Sequence, residues 1–142
     1  MKNSAGFTLV ELVVTIALVG ILLGTAIPTF FRTVNETQAQ VNISNMGIIK
    51  DTFMQYYYEK HMTGNPHFPQ VPSDSLMGDT YRQTQLEDGR TPDDLFSGDL
   101  PYNTNNNPYI YYWDNDSTTK RIIIKDNDSD SPSYEKYVIG EI

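Results

Sequence analysis

Glu11 stands alone in an apolar run. From Phe7 to Phe31 the chain reads FTLVELVVTIALVGILLGTAIPTFF, 25 residues in which Glu11 is the single ionisable side chain. A carboxylate in the middle of such a run costs about 2.5–3.5 kcal/mol to place in lipid, so a partner is expected. The nearest one is latent in the backbone. Hydrolysis of the Gly6–Phe7 bond would leave an α-amino group four residues before Glu11, at the tip of the same helix. The chemistry of that pair is mutual charge neutralisation in apolar surroundings. A second group of interest lies far along the chain, where Asp126, Asp128 and Asp130 alternate in a loop. Hard oxygen ligands at that spacing suit calcium. The competing reading is a solvated turn of Asp, Asn and Ser. The EF-hand pattern is not met, because the sixth position from Asp126 is Ser131 rather than Gly and the twelfth is Tyr137 rather than Glu.

Catalysis has little to stand on. The chain has no Cys and two histidines, His61 and His67, which sit at a helix-to-loop turn without metal-ligand spacing. No G-x-S-x-G, P-loop or H-E-x-x-H occurs, so no enzyme is expected. Formal net charge is −8, and of the 18 acidic residues only Glu11 precedes residue 36. An acidic domain disfavours nucleic acid as a partner. Without Cys, packing, metal or assembly must stabilise an exported domain.

The elements that position these groups can be read from periodicity. Residues 7–31 are long enough to span a bilayer, for which about 20 apolar residues suffice. From Arg32 to Met62 the chain is polar with a recurrent apolar set: Val34, Val41, Met46, Ile48, Ile49, Phe53, Tyr56 and Tyr57. That rhythm predicts an amphipathic helix, stopped by Gly64-Asn65-Pro66. One helix from Phe7 to Met62 would measure roughly 80 Å at 1.5 Å per residue. Pro28 predicts a kink or local unwinding. Gly20 and Gly24 form a G-x-x-x-G pair that allows close helix approach. Gly47 costs about 1 kcal/mol in a helix interior and reads as a close-packing position. Residues 63–107 are rich in Pro and Gly and are expected to be irregular with short helical turns, one of them started by Thr91 as N-cap with Pro92 and two acids behind it. Strands are expected at Tyr109–Trp113, Lys120–Lys125 and Tyr134–Ile139, joined by turns at Asp114–Ser117 and Asp126–Ser133, as an antiparallel meander over residues 108–142.

The N-terminus, Lys2 followed by Gly6-Phe7-Thr8-Leu9-Val10-Glu11, resembles the type IV pilin-like family: type IV pilins, type II secretion pseudopilins and competence pilins. The pattern is a short basic leader ending in Gly, Phe at the new N-terminus and Glu five positions into the mature chain; Pro28 in the late apolar segment also fits. The resemblance implies an α+β, pilin-like fold, with a long N-terminal helix packed on a small antiparallel sheet of about three strands. It implies a leader of residues 1–6, a transmembrane or filament-core helix of residues 7–31, and a periplasmic or extracellular domain of residues 32–142. A prepilin peptidase would cut after Gly6 and methylate Phe7. An assembly platform and ATPase in the bacterial inner membrane would then build homo- or hetero-oligomeric filaments, with Glu11 pairing with the Phe7 amine. Two functions compete within the family: a type II secretion pseudopilin, and a type IV pilin of a surface fibre serving adhesion, motility or DNA uptake. The Cys-free acidic domain and the Asp126 loop lean to the pseudopilin, since major pseudopilins hold calcium in a C-terminal loop. The segment Asn103–Asn107 before Pro108-Tyr109 is similar to the Gly-Asn-Pro-Tyr turn of major pseudopilins but lacks its Gly. Outside the family stands a secreted or membrane-anchored binding domain without a filament. An ordinary signal peptide, with Gly24-Thr25-Ala26 as its cleavage site, is disfavoured by the length of the run and by Glu11.

Overall fold

The computed structural model describes residues 6–115 and 119–142. Lys2, and the Asp116–Ser117 part of the first hairpin turn, lie outside the described residues. The element order is α1 (Leu9–Met62), α2 (Asp79–Arg82), a 3-10 turn (Asp93–Leu95), β1 (Ile110–Asn115), β2 (Lys120–Lys125) and β3 (Tyr137–Glu141). This α+β arrangement of a long apolar-started helix and a three-stranded antiparallel sheet is consistent with a pilin-like fold. Residues up to Glu36 and from Thr37 onward form two compact units.

In the first unit the described residues from Leu9 onward are helical. Its apolar side chains are exposed from Leu9 to Phe31, and the helix is long and apolar enough to cross a membrane. The backbone is helical through Pro28. Proline removes one N–H from the ladder. The hydroxyls of Thr25 and Thr29 supply donors on the same stretch, to the carbonyls of Leu22 at 3.1 Å and Thr25 at 3.0 Å.

In the second unit α1 packs through Ala39, Asn42, Met46, Ile49, Phe53, Tyr56 and Tyr57. From Ala39 to Tyr56 these follow one another at three- and four-residue steps, with Tyr57 four residues after Phe53, the rhythm of a single face. Val41 and Ile48, expected on that face, instead point outward with 44% and 48% exposure. Ala39 and the polar Asn42 take the inward positions. The helix ends in a Schellman motif: the Asn65 N–H donates to the Lys60 carbonyl, the Gly64 N–H to that of His61, and Gly64 adopts φ +84°. Gly47 has open space where a Cβ would stand, so close packing does not explain it. Gly47→Ala is therefore expected to stabilise the domain by about 0.5–1 kcal/mol, seen as a higher melting midpoint; a lower one would show an unrecognised constraint at this turn.

The 63–107 connection is irregular as expected, with two short helical turns. Asp94 N–H donates to Thr91 Oγ1 at 3.3 Å, while Thr91 N–H and Oγ1–H donate to Asp94 Oδ2 at 2.7 and 2.8 Å. The connection is pinned to α1 by ions. Lys60 Nζ lies 2.7 Å from Asp88, and Arg90 bridges Asp88 and Glu59 at 2.7 and 3.0 Å. Burial pushes the Asp88 carboxyl up, but hydrogen bonds from Arg90 and Lys60 outweigh it and hold the group well below the usual carboxylate range.

The sheet order is β1-β2-β3, all antiparallel, with Tyr112 opposite Ile123 and Ile123 opposite Ile139. Tyr111, Ile122 and Ile124 face the core at 0% exposure and join Met46, Ile49, Phe53, Met77, Leu100 and Tyr109. The third strand starts later than expected, at Tyr137 rather than Tyr134. Residues 126–136 close on themselves first, through Asp126 N–H to Lys136 O, Glu135 N–H to Asp126 O and Lys136 N–H to Ser133 O, with Glu135 at φ +65°. Gly140 lets β3 approach the helix. A Cβ there would stand 2.9 Å from Met54 Sδ and 3.0 Å from Ile122 Cγ1.

Candidate functional site

Two places concentrate the residues singled out by chemistry, one in each unit. The first is the start of α1. Glu11 Oε2 accepts the Thr8 N–H at 2.9 Å and the Thr8 hydroxyl at 2.7 Å, and the Glu11 N–H donates to Thr8 Oγ1 at 3.2 Å. This is a capping box, in which two helix-start donors are satisfied reciprocally. Among the described residues nothing bonds Oε1. Gly6 and Phe7 precede the helix and are exposed, Phe7 by 76%. The Gly6–Phe7 bond is thus extrahelical and open to attack, while the carboxylate four residues on is already oriented by its own helix. Sequence reasoning fixed on the charge of Glu11 and overlooked Thr8. The signal was present as T-x-x-E ahead of an apolar run.

This geometry agrees with a comparison against known families. Residues 1–27 match the prokaryotic N-terminal methylation motif. The N-terminal segment is a prepilin-type signal. The motif is similar to the signal carried by type IV pilin-like and pseudopilin subunits. Its apolar helix fits a protein anchored in a membrane and then built into a filament. The match ends at residue 27, so the second unit is described by its fold alone. No curated protein and no solved structure matches the chain.

The second place is the loop after β2. Asp126 is fully buried. Its Oδ2 accepts the hydroxyls of Ser131 and Ser133, and its Oδ1 accepts the Asp128 N–H at 3.1 Å and the Asn103 amide at 3.3 Å. Asp128 Oδ2 accepts the side-chain amides of Asn103, Asn105 and Asn107 at 3.0, 2.8 and 3.0 Å. Those bonds, from Asn107 and Asn105 foremost, lower the Asp128 pKa to about 2. Asp130 is exposed and contributes its backbone N–H to Asp128 Oδ1 at 3.1 Å. The three aspartates therefore do not converge. Among the described residues no group of three His, Cys, Asp or Glu side chains could hold a metal ion. Side-chain amide donors of Asn103, Asn105 and Asn107 face the carboxylate of Asp128, and that of Asn103 also faces Asp126.

The histidines are structural. His67 Nδ1–H donates to the Asn65 carbonyl at 2.7 Å, and Nε2 lies 3.3 Å from the Tyr56 hydroxyl. His61 is exposed in the last turn of α1.

Proposed function

We propose that the chain is a structural subunit of a type IV pilus-like filament, cut by a prepilin peptidase after Gly6 and N-methylated on Phe7. An inner-membrane platform and ATPase would draw it from the membrane, with its second unit on the periplasmic side. The observation that carries this reading is the prepilin-type signal, whose Gly6–Phe7 bond is extrahelical and whose Glu11 is held at the helix start. In the assembled state the Phe7 amine of the same or a neighbouring copy would take the side of the Glu11 carboxylate that Thr8 leaves open. Mass analysis of the N-terminus tests this. The expected mature chain begins at methylated Phe7, and Gly6→Val accumulates uncut precursor. A chain that retains Met1, or one cut after Ala26 like an exported protein, would sink the proposal.

Within the class, a type II secretion pseudopilin is the favoured version, on the grounds of a short, acidic domain without Cys. A surface-fibre pilin is the second version. Deleting the gene separates the two: loss of protein secretion marks the first, and loss of surface fibres with secretion intact marks the second.

A further inference from the structure

We infer that the loop from Asp126 to Ser133 is fastened by side-chain amide and hydroxyl donors rather than by a cation, so that this domain folds independently of calcium. The inference stands on the second unit alone and does not depend on filament assembly.

Two carboxylates lie close together here, since one amide nitrogen, Asn103 Nδ2, is within 3.3 Å of Asp126 Oδ1 and 3.0 Å of Asp128 Oδ2. Among the described residues neither aspartate pairs with a Lys or Arg. Such a pair needs either a cation or a dense set of donors. The donors are present: two serine hydroxyls, three asparagine amides and two backbone N–H groups.

The orientation of the central amide decides the matter. Asn103 Oδ1 accepts the backbone N–H of Asn105 at 3.0 Å and of Asn107 at 2.8 Å. Its oxygen is thereby committed, and its NH2 must face the carboxylates. A cation between Asp126 and Asp128 would meet the positive end of that N–H dipole instead of an oxygen ligand. The same logic fixes Asn42 on α1. Its Oδ1 accepts the Thr104 N–H at 2.8 Å, which turns its NH2 onto Ser131 and Ser133 at 3.0 and 2.8 Å. Both serines pass their own protons to Asp126. The chain of bonds from Asn42 through the serines, Asp126 and Asn103 to Asp128 thus ties helix, loop and the 103–107 turn together without a metal.

The test is thermal melting of the full chain in detergent, followed by near-ultraviolet circular dichroism, in EDTA and in about 1 mM calcium, a concentration that fills typical extracellular sites. The expected result is one midpoint in both conditions. Asn103→Asp removes the shared donor and sets a third carboxylate between the other two. It should melt several degrees lower in EDTA and recover in calcium. A rise of several degrees for the unsubstituted chain on adding calcium would overturn the inference. So would an Asn103→Asp variant that melts in EDTA like its parent.

Discussion

Glu11→Gln leaves the chain in the membrane and abolishes its assembly. The substitution is chosen because Gln at this position keeps the capping box. Its side-chain oxygen can still accept from the Thr8 N–H and hydroxyl, as Glu11 Oε2 does at 2.9 and 2.7 Å. Only the charge is lost. If Glu11 serves to neutralise the Phe7 amine inside a filament, that amine is then left unpaired in apolar surroundings, at about 3–5 kcal/mol per subunit contact. Repeated at every subunit, a penalty of that size prevents growth. The readout is sheared or detergent-released filament measured against total membrane-bound subunit. Thr8→Ala makes the opposite cut, weakening the helix start by about 0.5–2 kcal/mol while keeping the charge, and should reduce assembly far less. Filaments from Glu11→Gln at the normal level would mean that the carboxylate acts as a helix cap and not as an ion-pair partner.

Phe53→Ala should strongly destabilise the second unit. Phe53 is fully buried and meets Tyr111 edge-on with ring centroids 4.8 Å apart and Phe96 at 6.3 Å. Truncating a buried Phe to Ala costs about 3–5 kcal/mol, against a total of about 5–15 kcal/mol for a typical domain. At about 4–8 °C per kcal/mol for a domain near this size, the melting midpoint falls by at least about 12 °C. Val41→Ala provides the contrast. Val41 faces outward, so its loss should stay within about 0.5 kcal/mol. Equal losses from the two variants would contradict the assignment of the helix faces.

The difference between those two residues also marks how far the sequence could be read. The apolar helix, the Gly64 stop and the first two strands rest on local signals and lie close to where those signals put them, while the third strand begins three residues later, at Tyr137. Val41 and Ile48 were misplaced because hydrophobicity was taken to mean inwardness. The inward register is set instead by Asn42, whose burial is justified by Thr104, Ser131 and Ser133, residues that no window around the helix contains. The Asp126 loop offers two readings in the sequence, a calcium site and a solvated turn, and neither names its partners. Its partners come from Asn103, Asn105 and Asn107 in a separate turn, and from two serines whose role depends on the fold. Thr8 is a different kind of omission, since the capping box is a local signal and was legible.

Asn42 carries a further consequence, one of timing. Its hydrogen-bond partners Ser131 and Ser133 lie 89 and 91 residues later in the chain. At a synthesis rate of about 5–20 residues per second, roughly 4–18 s separate the making of Asn42 from the making of those serines. Thr104 arrives first, and until the serines follow the Asn42 NH2 lacks the two acceptors that tie it to the Asp126 loop. Closure waits for the serines to arrive.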